Sequence, residues 1–90
     1  MVEHKVGADM IEDLYRVLAS VKTADDCREL LADLCTQKEI EQMAQRIRAA
    51  RLLKAGKTYN QVIEETDISS ATLSRVSRCL QYGDGYRQYL

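Results

Sequence analysis

Ninety residues, 30% of them charged but with a formal net charge of only −1, make a single small domain whose core in one copy is modest. The absence of Pro, Trp and Phe, with only four Gly, and the dominance of Ala, Leu, Glu, Gln, Lys and Arg point to an all-α fold with short connections. No apolar run approaches the ~20 residues of a membrane span and "MVEHKVGADM" has no signal-peptide core, while three irregularly spaced Cys favour a reducing cytoplasm over a disulfide framework.

Residues 1–7 are polar and uncapped and read as a loose tail. From Ala8 to Val21, the apolar residues Met10, Ile11, Leu14, Val17, Leu18 and Val21 recur at helical spacing. Thr23 is placed to cap a second helix whose first turn carries Asp25 and Asp26, with an expected buried stripe of Cys27, Leu30, Leu31, Leu34 and Cys35. "TQKE", starting at Thr36, is a capping box that opens the longest helix. Its expected stripe is Ile40, Met43, Ala44 and Ile47, with Leu52 and Leu53 pointing elsewhere and Gly56 as the left-handed stop. A helix with apolar residues on several sides needs more neighbours than one short chain offers, and a homodimer is the simplest remedy.

A second capping box, "TYNQ", starts a short helix at Thr58 with Val62 facing inward. The chain breaks around Thr66-Asp67, where Asp tolerates a left-handed backbone; Ile68 plugs the turn and Ser69 caps a further helix running to about Leu80. "YGDGY" ends that helix, and the last segment, 81–90, is too short to assign from pattern.

Halving the chain exposes a charge asymmetry. Residues 1–45 carry five Lys/Arg against ten Asp/Glu, a balance of −5, whereas residues 46–90 carry eight against four, a balance of +4. On the helix from Ser70 to Leu80, Leu73, Val76 and Leu80 share one face, while Ala71, Ser74, Arg75 and Arg78 line the other, with Ser70 and Tyr82 at its edges. Small residues permit close approach, arginines supply forked donors for phosphate or guanine, and hydroxyls serve phosphates or base edges. Two short helices around a tight turn, with Val62, Ile68, Leu73 and Val76 inside, make a helix-turn-helix whose first helix offers Thr58, Tyr59 and Asn60 near phosphates. The pattern departs from the usual motif at Ile63, where a small residue is common, and at Asp67, where Gly is.

"TQKEIEQMAQRIRAARLLKAGKTYNQVIEETDISSATLSRVSRCLQYGDGYRQYL" resembles the Trp repressor family, and within it the small YerC/YecD-type branch of Gram-positive bacteria. The resemblance spans roughly residues 8–90, and "SSATLSRVSRCLQYG" is its most specific part. It implies a TrpR-like helical bundle, an intertwined homodimer whose helices over 8–56 form the shared core, and two reading heads (58–80) on a palindromic operator in double-stranded DNA. The Trp repressor is itself a standard example of such a motif, including its water-mediated base contacts. By resemblance, Ser70, Ala71 and Ser74 face bases, Tyr59, Asn60 and Thr72 lie near phosphates, and Ser69 starts the reading helix. Asn60 and Ile63 replace basic residues of the Trp-binding member, so phosphate contacts are expected to be fewer or shifted to Arg78. For an effector pocket, Arg46, Arg75 and Thr36 match the family. Val76, however, stands where the tryptophan-responsive repressor has Gly against the indole, and Cys79 replaces a Ser near the ligand amine. Tryptophan is therefore not the expected ligand. Val76 is expected to hold the heads without one, and Arg46 and Arg75 to be structural or phosphate-binding; a different small effector stays open.

An enzyme is not expected. His4 is the only histidine and lies in the tail, and Cys27, Cys35 and Cys79 fit no metal-ligand spacing. No glycine-rich phosphate loop is present, Asp25/Asp26 and Glu64/Glu65 read as helix-end charge and solvated surface, and neither cofactor nor metal is expected. A helical protein-docking module is the main alternative to DNA binding, and RNA is a third, since the A-form groove suits helix insertion less well.

Overall fold

A computed structural model of the chain describes residues 6–90. These residues form six helices in order, α1 (Ala8–Ala19), α2 (Ala24–Leu34), α3 (Gln37–Lys54), α4 (Tyr59–Thr66), α5 (Ser70–Tyr82) and α6 (Gly85–Tyr89), with no strand among the described residues. The all-α expectation holds. The backbone divides into two compact units, Met1–Cys35 and Thr36–Leu90. His4 and most of the expected tail over 1–7 lie outside the described residues.

In the first unit, the Thr23 hydroxyl accepts from the Asp26 amide at 3.0 Å, so α2 starts where its cap dictates. Asp25 and Asp26 occupy its first turn, and the Arg28–Asp25 pair at 2.6 Å lies in solvent, where it adds little. The expected buried stripe of α2 is not buried. Cys27, Leu30, Leu31 and Cys35 are half-buried and Leu34 is 49% exposed. On α1, Met10, Ile11, Leu14, Val17 and Leu18 form the expected apolar face, and every one of them is exposed. Two helices of 12 and 11 residues have too little surface to enclose a side chain on all sides.

The second unit holds the core. At its start, the Glu39 amide donates to the Thr36 hydroxyl at 3.1 Å and the Thr36 amide to the Glu39 carboxylate at 2.8 Å. Gly56, at φ 91°, ends α3 in the left-handed region as expected. The core-facing side of α3 differs from the expected stripe: Ala49 and Ala50 are fully buried, with Leu52 and Leu53 packed against them. Ala44 and Ile47 are instead exposed, and Ile40 and Met43 half-buried. The reason is steric. The alanines let α4 and α5 approach α3 closely, and a bulkier Ile/Met face cannot do the same.

α4 begins at the Thr58–Gln61 capping box, with reciprocal bonds of 3.2 and 2.9 Å. Val62 from α4, Ile68 from the turn, and Leu73 and Val76 from α5 complete the buried cluster with the two alanines. α5 runs to Tyr82, two residues beyond the expected end at Leu80. The C-terminal segment forms the short helix α6, which lays Tyr86 and Leu90 against the core.

Candidate nucleic-acid interface

The turn between α4 and α5 fixes how α5 is presented. Asp67 adopts φ 59°, ψ 20°, the left-handed conformation expected of it. Behind it, the Thr66 hydroxyl donates to the Val62 carbonyl at 2.7 Å and accepts from the Ile68 amide at 3.3 Å. Ile68, only 3% exposed, anchors the turn in the core. Ser69 then caps α5: its hydroxyl accepts from the Thr72 amide at 3.2 Å and donates to the Thr72 hydroxyl at 2.9 Å.

α5 is thereby divided lengthwise. Leu73 and Val76 are buried, whereas Ser70, Ala71, Ser74, Arg75 and Arg78 are exposed and Thr72 is half-buried. No carboxylate pairs with Arg75 or Arg78 among the described residues, so both guanidinium groups are available to an anion. Thr58, Tyr59 and Asn60 are exposed at the start of α4. The Thr58 hydroxyl already serves the Gln61 amide, leaving Tyr59 and Asn60 as the freer side chains there.

The residues expected around an effector are not gathered in one cavity. Val76 is 1% exposed within the apolar core, and Thr36 is engaged in its capping box. Arg46 is half-buried and lines a polar cleft of about 390 Å³ beside the start of α5, together with Lys38, Ser69 and Thr72. Cys79 lines a separate apolar hollow of about 450 Å³ with Ile47 and Tyr86. Neither is lined by Thr36, Arg75 or Val76. All three Cys are free and half-buried, and among the described residues no cluster of His, Cys, Asp or Glu is placed to hold a metal. Among the described residues, no helix is long and apolar enough to cross a membrane.

Two residues beside the interface escaped the sequence reading. Lys38 places a cation near α5, and Gln45 donates from its side-chain amide to the Thr66 carbonyl at 3.1 Å. Gln45 sits one turn before Ala49, on the edge of the buried side of α3, a side that the apolar pattern of the sequence does not mark.

The sequence profile of the Trp repressor protein family matches residues 9–90. The chain belongs to the Trp repressor family. Among Trp-repressor relatives, the uncharacterized YerC of Bacillus subtilis (strain 168) is 41% identical over 87 residues, covering 96% of this chain and 84% of that protein. The crystal structure of a TrpR-like protein from Eubacterium eligens ATCC 27750 superposes with a TM-score of 0.84 at 36% identity, covering 90% of this chain and 84% of that one. A Trp-repressor candidate from Staphylococcus aureus gives a TM-score of 0.82 at 35% identity, covering 91% and 82%. The Trp repressor-like helical fold is thus established for this chain.

Proposed function

We propose that this Trp-repressor-family chain is a sequence-specific, DNA-binding transcriptional regulator, a repressor rather than an enzyme, acting in the cytoplasm as an intertwined homodimer. The observation that carries the reading is the division of α5: Ser70, Ala71, Ser74, Arg75 and Arg78 exposed along a helix whose other side is locked into the core by Leu73 and Val76. A helix so divided, raised on a tight turn, suits the major groove. Ser70, Ala71 and Ser74 would meet base edges, while Tyr59, Asn60, Thr72 and Arg78 meet phosphates on either side. The capping hydroxyls of Thr58 and Ser69 set the helix ends that approach the backbone.

Tryptophan is not the effector in this reading. Val76 is 1% exposed in the buried cluster that also holds Ala49, Ala50 and Val62, which supports a core with no slot for an indole. Val76 then holds α5 in place with no ligand bound, and adding tryptophan leaves duplex affinity unchanged.

The test is enrichment of bound duplexes from a random DNA pool at moderate salt, with no small molecule added. A palindrome with half-sites about one helical turn apart supports the dimeric regulator. On that operator, Ser74→Ala changes preference at one base pair by about 1–3 kcal/mol. Arg78→Ala weakens all sequences alike and lowers the salt slope by about one. Failure to enrich any duplex, with the protein folded, sinks the effector-independent reading and leaves either a missing small effector or α5 as a protein-docking surface.

A further inference from the structure

Every side-chain hydrogen bond among the described residues but one joins residues no more than four apart in sequence. The exception spans 21 residues: Gln45 Nε2, on α3, donates to the Thr66 carbonyl at 3.1 Å in a part-buried setting. Thr66 is the last residue of α4, and its carbonyl belongs to the final turn, where helix carbonyls lack an intrahelical partner. The same residue's hydroxyl reaches back to Val62 and forward to the Ile68 amide, so Thr66 is the node from which the left-handed turn and α5 depart. Gln45 grips that node from outside the motif.

We infer that the Gln45–Thr66 bond is a positioning latch that sets the angle of the reading helix α5 on its support, α3. The inference rests on the DNA-reading role proposed for α5. On α3 the fully buried members of the apolar cluster are Ala49 and Ala50, with Leu52 and Leu53 partly buried beside them. Apolar burial is non-directional, so it holds α4 and α5 near α3 without fixing their rotation on it. A hydrogen bond has a length and a direction, and this one acts on the turn next to the base-facing residues. Gln45 also forms part of the wall of two clefts, one opening toward Ser69 and Thr72, the other toward Arg48 and Arg51.

Gln45→Glu tests this in the full chain. It keeps the shape and replaces the donating amide with a carboxylate facing a carbonyl. Two readouts are compared with the parent: backbone dipolar couplings of the free protein, which report the direction of α5 relative to α3, and the affinity ratio between the enriched duplex and a scrambled one. The expected result is a reoriented α5 and a ratio about tenfold lower, the scale of one directional hydrogen bond. Gln45→Lys, which restores a donor, returns the couplings to parental values. Unchanged couplings in Gln45→Glu overturn the latch, whether or not DNA is bound. Couplings that shift in Gln45→Glu while no duplex is ever enriched retain the latch and remove the DNA role instead. Should Gln45→Glu fail to fold, Gln45→Met, uncharged and of similar length, is read by the same couplings.

Discussion

At Asp67 and Glu39, single residues carry identifiable amounts of the local structure. Asp67 is the one non-glycine residue with positive φ among those described, at 59°. A β-branched residue is far less tolerant of that conformation, so Asp67→Val costs about 1–2 kcal/mol, seen as a lower midpoint in thermal melts. Glu39 closes the capping box at the start of α3. The amide of Thr36, and then its hydroxyl, hold the Glu39 carboxyl below its ordinary value of 4.5. Because the folded value is depressed, the box's contribution is fully present above that ordinary value and is lost as pH falls through the lower folded one. Protection of the Thr36 amide, the donor to the Glu39 carboxylate, accordingly falls on acidification relative to a Glu39→Gln variant, whose box keeps an acceptor but cannot titrate. Identical acid dependence in the two proteins would count against this account.

Among the elements, α5 depends most on its buried side. Leu73 is fully buried between α3 and α4, and Leu73→Ala removes that anchor at a cost of about 2–5 kcal/mol, measured by denaturant unfolding. The caps at Thr23, Thr36, Thr58 and Ser69 and the left-handed residues Asp67 and Gly56 were legible from the sequence, because capping and turn chemistry is local. The buried side of α3 was not. Ile40, Met43, Ala44 and Ile47 make the stronger apolar pattern, yet the core selected Ala49 and Ala50, whose smallness matters only once two other helices must come close. Gln45 was obscured for the same reason, since a polar residue at the edge of an apolar side signals a partner only after that side is known. The short helix α6 depends on Tyr86 and Leu90 packing against the core, a tertiary effect with no periodic signature in five residues. The proposed reading face of α5 stood out in sequence because a hydroxyl- and arginine-rich face has no use in a core.

For the whole molecule, the open apolar surface is the dominant fact. Met10, Ile11, Leu14, Val17 and Leu18 on α1 are each between 39% and 54% exposed, and Ile47 on α3 is 45% exposed. Surfaces of this kind are covered in stable proteins, and the proposed homodimer supplies a second copy to cover them. Sedimentation should therefore give about twice the chain mass of 10.3 kDa. Leu14→Glu, which puts a charge in the middle of the α1 face, shifts the protein toward monomer; a monomeric parent at micromolar concentration would contradict the dimer.

The buried cluster draws all its members from residues 49–76, and none from α1 or α2. Contacts so close in sequence form quickly and within one chain. On the dimer proposal, refolding then splits into a first phase indifferent to protein concentration and a second that accelerates with it. Synthesis runs the other way, with α1 and α2 leaving the ribosome ahead of the segment that can bury itself. On the dimer proposal, the segment that is made first is then the one that finishes folding last, waiting for a partner.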